Sequence, residues 1–425
     1  MARSTRRYRR VSTQPQPAAA KHHLEGARTT KRAGVAAILA VIAGVGGAVA
    51  PAKPAGDLVR NLRAVSNYQP DPRKAHDIAW WRSTLDGMRD AGFNGVWMVN
   101  VWADFQPGID PPEWRGDRLT FLRQVCAAAR EREMTLILAV GYVGEGWAPN
   151  GVDDQIWLLR DEQFAVYRDF CGWMARATAD FDNVIYVLMA EELLPATILY
   201  NPDRRPEIVA AFREWAKQRN PDVNHWNTRW GTHFTWDNLH PLATGERGAV
   251  AAWTDHYRWV NSVMRRRLPD LVGAMRRARP GAVIGYHDFI LDPVLDMTAA
   301  DSPLRERDQF DFYSLGWYYN PRLGALHANL EAMEKRIGLA RTLGRGLPLF
   351  MGELGADVDQ VGEIVQRHWL LRATCRLETM GIGYSIWNWA QYVERGTATF
   401  SLLRPDGTPR PALESLASHD KRGPK

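Results

Sequence analysis

The chain has 425 residues, 45% of them hydrophobic and 10% aromatic, with a formal net charge of +6. That is too apolar for a chain that stays unfolded, and long enough for up to three domains or one large barrel. The charge belongs to a tail: nine of the 54 Lys/Arg but one of the 48 Asp/Glu fall in residues 1–32, leaving 45 basic against 47 acidic residues beyond. With no positive excess on the folded part, nothing in the composition points to nucleic acid as a partner.

Residues 1–32 hold few large hydrophobes and carry Gln14, Pro15, Gln16 and Pro17 among basic residues, which predicts a disordered basic tail. Residues 33–50, AGVAAILAVIAGVGGAVA, carry no charge; they follow Lys31-Arg32 and end in Ala48-Val49-Ala50 before Pro51. A basic flank, an apolar centre and small residues at the end make a cleavable export signal, and 18 apolar residues also just span a bilayer. The segment therefore reads either as a signal peptide or as an N-terminal membrane anchor. In both cases the folded part is expected to be secreted or extracytoplasmic.

Residues 55–425 alternate short apolar runs with longer amphipathic ones, the pattern of repeated βα units. Strands are predicted at 58–68, 94–101, 135–143, 183–190, 282–289, 310–317, 347–354 and 382–389. Helices are predicted at 75–91, 117–132, 161–180, 247–279, 324–344 and 357–380. Eight strands in one domain predict an α/β fold, a (β/α)8 TIM barrel. Residues 200–246, with four Pro, five Asn and four Trp, read as a long, mostly irregular insertion after the fourth strand. Cys126, Cys171 and Cys375 lie in apolar or helical contexts without CxxC spacing, so they read as small buried hydrophobes rather than a disulfide framework or a zinc cluster.

In such a barrel the catalytic groups sit at the C-terminal strand ends. Two carboxylates stand there: the fourth strand runs into Glu191 and Glu192, and the seventh contains Gly352-Glu353-Leu354-Gly355. An acid at the end of an apolar strand loses hydration and is costly unless solvated, paired or used. Each one alone also fits a solvated helix start or a capped turn, but two around one mouth suit glycoside hydrolysis, one carboxyl donating a proton and the other attacking. His287 and Asp288 end the fifth strand, and Glu145 follows the third, near Trp147. Eighteen tryptophans, Trp102, Trp114, Trp226, Trp230, Trp236, Trp317 and Trp387 among those at strand ends or in loops, supply flat faces on which pyranose rings stack. Trp97, Trp173, Trp215 and Trp369 sit on apolar faces and are assigned to packing. GxGxxG, a P-loop, HExxH and GxSxG are all absent, so no cofactor, no metal and no serine nucleophile is predicted.

Four segments, GFNGV (92–96), NVIYVLMAE (183–191), PLFMGELG (348–355) and YSIWNW (384–389), resemble the retaining glycoside hydrolases of the cellulase superfamily, clan A, and family 5 in particular. The likeness covers about residues 57–417. It implies that Glu191 is the general acid/base and Glu353 the nucleophile, that Trp387 floors the sugar, and that Tyr319, or its neighbour Tyr318, hydrogen-bonds the nucleophile. The chain departs from that pattern at Ala190, where the resemblance expects Asn, and at Trp97, where it expects Arg. Glu192 stays open as the acid if Glu191 takes the place of that Asn. The resemblance implies cleavage of a β-linked oligo- or polysaccharide with retention. The alternatives are a non-catalytic glycan-binding barrel or a cell-envelope transglycosylase.

Overall fold

The computed structural model describes residues 55–67, 76–142, 148–153, 156–189, 205–242, 249–288, 309–344, 346–390 and 399–420. Eight parallel strands close into a barrel: β1 (Arg63–Ser66), β2 (Gly95–Val101), β3 (Thr135–Tyr142), β4 (Val184–Met189), β5 (Ile284–Asp288), β6 (Phe312–Tyr318), β7 (Leu349–Gly355) and β8 (Gly383–Ile386). Each pairs with its chain neighbours, and β8 returns to β1 through Ala64↔Ser385 and Val65↔Ile386. All eight predicted strands are present. The first is shorter than expected, because residues Ala55–Arg60 form a helical turn ahead of it.

Helices surround the strands: α1 (Ile78–Asp90), α2 (Gly116–Arg130), α3 (Asp161–Ala177), α4 (Pro206–Arg219), α5 (Val223–Trp230), α6 (Ala249–Ala278), α7 (Leu326–Gly344), α8 (Val358–Thr379) and α9 (Pro411–Asp420). Side chains alternate along each strand, so a barrel has two cores. Ala64, Trp97, Ile137, Ile185, Val187, Phe312 and Phe350 fill its interior. The opposite faces, including Val65, Val96, Leu136, Tyr186 and Leu315, pack under the helices. The Trp97 and Phe350 rings stack across the interior with centroids 6.2 Å apart, making it a plugged core rather than a pore.

The insertion after β4 is not mostly irregular. α4 begins with Pro206 in its first turn and buries Ile208, Phe212, Trp215 and Ala216, a helical spacing carried largely by aromatics. α5 is capped by the Asp222 side chain, which accepts from the Asn224 N–H, and ends at Gly231 in the left-handed region (φ 66°), where glycine costs least. Phe212 packs on Trp230 and Trp259, joining both helices to α6. Asp255 of α6, 1% exposed, accepts from Arg258 Nη1 (2.8 Å), Trp230 Nε1 (2.9 Å) and the Arg229 guanidinium.

The three cysteines are free; Cys126 and Cys171 are buried and Cys375 half-buried. Burial pushes the Cys126 thiol up to about 12, which leaves it without a reactive thiolate. Among the described residues no helix is long and apolar enough to cross a membrane. The 1–32 tail and the 33–50 run lie outside those residues.

Candidate active site

Glu353 lies near the C-terminal end of β7 and is 5% exposed. Strict alternation from inward Phe350 would turn Gly352 inward and Glu353 outward. The register slips there: Leu315 pairs with Met351, but Gly316 pairs with Glu353, leaving Gly352 as an extra residue. Such a bulge resets the alternation and re-aims the next side chain. Gly352 itself has to be glycine, since a methyl group would fall on Ser314 Oγ, the Trp97 ring and His287 Nδ1.

Two neighbours hold the carboxylate. The Tyr318 hydroxyl, from the inward series Phe312, Ser314, Gly316 and Tyr318 of β6, donates to Glu353 Oε2 at 2.8 Å. His287 Nε2, from β5, lies 3.8 Å from Oε1. The other ring nitrogen of His287, Nδ1, is 2.7 Å from Ser314 Oγ, and Trp97 meets the imidazole edge to face with centroids 5.4 Å apart. Burial, with a smaller push from the charge of Arg336, lowers the His287 pKa to about 3. The ring is therefore neutral at neutral pH. Nδ1 and Ser314 Oγ share a hydrogen bond whose direction follows the ring's tautomer, and Nε2 is the nitrogen on the carboxylate side. Trp97 occupies the place where the resemblance expected an arginine.

A histidine with a depressed native pKa binds its proton more readily in the unfolded chain. It contributes nothing above its ordinary value of 6.5 and removes stability as pH falls from there towards about 3. We expect a share of the acid destabilisation between pH 7 and 4.5, on the order of 2 kcal/mol, to vanish in His287→Gln. Urea unfolding at both pH values reads it, and an unchanged pH 7-to-4.5 difference would refute the assignment.

The hydrogen bond to the nucleophile position assigned first to Tyr319 is made by Tyr318. The Tyr319 hydroxyl donates instead to the Gly324 carbonyl at 2.7 Å. Trp102 is not in the cleft: it is fully buried, donates to Gln106 Oε1 at 2.9 Å and packs on Trp157, Tyr167 and Phe170. Trp226 and Trp230 are likewise buried in the insertion, while Trp97, Trp215 and Trp369 are buried as expected. Trp387 is half-buried just past β8, its N–H bonded to the Leu354 carbonyl at 2.9 Å, one residue from Glu353. Trp317 is half-buried beside Tyr318. Asp288 closes β5, but its side chain, like Glu145, Trp147, Glu191 and Glu192, lies outside the described residues. Ser314 was missed by the sequence reading; its signal is a polar residue on the inward series of a strand otherwise lined by Phe312, Gly316 and Tyr318.

The fold is the (β/α)8 barrel used by glycoside hydrolases, and a buried carboxylate stands at the C-terminal end of its strands. No protein-family model matches the chain, and no curated protein matches it in sequence. Among solved structures, it is similar to the β-galactosidase of the haloarchaeon Halorubrum lacusprofundi (TM-score 0.62, 14% identity, 85% of this chain and 58% of that one). It is also similar to a GH5_18 protein of Streptomyces cattleya in complex with GlcNAc (TM-score 0.59, 16% identity, 86% of this chain and 80% of that one). A third is the catalytic domain of the Paenibacillus polymyxa β-amylase (TM-score 0.59, 12% identity, 86% of this chain and 99% of that one). The chain spans less than two thirds of the length of the β-galactosidases it resembles.

Proposed function

We propose that this chain is a retaining glycoside hydrolase acting on a β-linked oligo- or polysaccharide, with Glu353 as nucleophile and Glu191 as general acid/base. The observation that carries the reading is the carboxylate of Glu353, buried at the C-terminal end of β7 and hydrogen-bonded by Tyr318. The solved structures it resembles include β-galactosidases and an exo-β-1,4-mannosidase, which supports carbohydrate as the ligand class.

In the first step a Glu353 oxygen attacks the anomeric carbon as Glu191 gives its proton to the departing glycosidic oxygen, leaving a glycosyl ester on Glu353. In the second, Glu191 takes a proton from water, the hydroxide attacks the same carbon, and the ester bond returns its electron pair to Glu353. Tyr318 steadies the carboxylate before attack and as it leaves. Ungapped matching of NVIYVLMAE to the motif favours Glu191 over Glu192 for the acid. The apolar run at 33–50 supports a place outside the cytoplasm, secreted or anchored; fractionation of cells expressing the full chain tests it.

A 2-deoxy-2-fluoro glycoside, which traps the ester, should label the protein with one sugar on the peptide containing Glu353; labelling elsewhere, or none beside measurable turnover, would refute the assignment. Tyr318→Phe is expected to lower kcat about ten- to a hundredfold with a smaller change in KM, because the lost bond is to a charged group. Trp97 in place of arginine favours a second reading, a barrel that binds glycan without cleaving it. Tight binding without turnover would select it.

A further inference from the structure

A cavity of about 360 Å³ opens from Tyr318 along the loop after β6, walled by Trp317, Tyr318, Tyr319, Asn320, Arg322 and Gln360. Its wall carries one guanidinium, that of Arg322. None of its side chains is acidic, and Arg322 has no carboxylate within 4.0 Å among the described residues, whereas Arg123, Arg376 and Arg404 are each tied to one. The Trp317 indole N–H is buried and bonds to none of the described residues. Asn320 Oδ1 takes the Arg322 N–H. Asp357, which caps α8, accepts from the Asp359 N–H and from Gln360 Nε2.

The loop that carries Arg322 is braced. Asn329, fully buried, accepts from the Asn320 N–H (2.7 Å) and donates to the Asn320 carbonyl (3.2 Å). Tyr319 ties down Gly324 on the far side of the turn. A neutral sugar hydroxyl donates one hydrogen bond while it accepts others and needs acceptors opposite it; a carboxylate or sulfate only accepts. A planar guanidinium without a carboxylate beside it pairs with such groups two bonds at a time and matches the second kind of ligand.

We propose that this cavity binds the anionic group of an acidic saccharide, a hexuronate carboxylate or a sulfate ester, on Arg322, with the aromatic wall stacking on the ring that carries it. The proposal rests on the glycosidase reading and names the substrate class of that site.

The test is calorimetric titration of the full chain carrying Glu353→Gln, with and without Arg322→Ala or Arg322→Lys. The probes are β-linked tetrasaccharides of gluco, manno and galacto configuration, each in neutral, C6-carboxylate and 6-sulfate form. We expect one acidic form to bind at least about tenfold more tightly than its neutral counterpart, and the carboxylate and sulfate arms identify which group. Arg322→Ala should remove the preference and leave neutral binding within twofold, Arg322→Lys should keep part of it, and 0.5 M NaCl should weaken only the acidic form. Equal binding of acidic and neutral forms, or a preference that survives Arg322→Ala, overturns the anionic assignment while the glycosidase reading stands. Absence of binding by every form, together with no turnover of the same set by the unsubstituted chain, overturns both.

Discussion

Glu353→Ala is expected to lower turnover of an activated aryl glycoside by a factor on the order of 10⁴ to 10⁶, the loss seen when a nucleophile that works as part of a unit is removed. The loss should be repaired by azide. The deleted side chain leaves space beneath the anomeric carbon, and a small anion entering it attacks from the face Glu353 would have used. The resulting glycosyl azide is not turned over and has the inverted configuration. Rescue with inversion, read by proton NMR of the product, is specific to a missing nucleophile; loss of the general acid would give an azide of retained configuration. A Glu353→Ala chain that keeps more than a tenth of its activity would end the assignment. The Tyr318 hydroxyl donates to the same carboxylate, so Tyr318→Phe should slow the same step without abolishing it.

Asp255→Ala is expected to be the costliest substitution for stability. Its carboxylate gathers Arg229, Arg258 and the Trp230 indole at one point, 1% exposed, where α5 meets α6. Removing one partner of such a group leaves donors behind with nothing to meet them, a loss of about 3–5 kcal/mol where the pair is enclosed. Arg229 and Arg258 keep 36% and 29% of their side-chain surface, so water recovers part of their hydration and the lower figure applies. Urea unfolding should register about 3 kcal/mol, together with an earlier loss of tryptophan fluorescence, since Trp230 reports on the insertion directly. A change under 1 kcal/mol would mean that the aromatic packing of Phe212 on Trp230 and Trp259 holds the insertion by itself.

Much of the barrel was legible because parallel strands are covered on both faces and so read as unbroken apolar runs, as in TLILAVGY or VIYVLM. The insertion was not, because its helical spacing is written in Phe212, Trp215, Trp226 and Trp230, and a search for aliphatic runs passes over it. Trp102 looked available since it follows a strand, but Trp102–Phe105 is one helical turn that folds the indole back onto α3. The choice between Tyr318 and Tyr319 was decided by parity: Phe312, Ser314 and Gly316 face inward, and only the even member of the pair continues that series. Ungapped matching of segments does not carry this information. Glu353 was found through its sequence neighbours, whereas the reason it faces the mouth, the extra residue at Gly352, belongs to the pairing of two strands and is invisible in either one alone.

That extra residue makes the chemistry a matter of counting. A chain that kept Gly352 but paired β6 with β7 without the interruption, Gly352 opposite Gly316, would still supply β7 with apolar residues for both cores, and the cylinder would still close. The carboxylate, however, would be displaced by half a pleat, from the barrel mouth to the layer beneath the helices. The side on which the carboxylate stands is thus set by odd or even, one position deep, and under the proposed mechanism a homologous barrel with an intact Gly-Glu pair but an uninterrupted ladder between β6 and β7 should be inert.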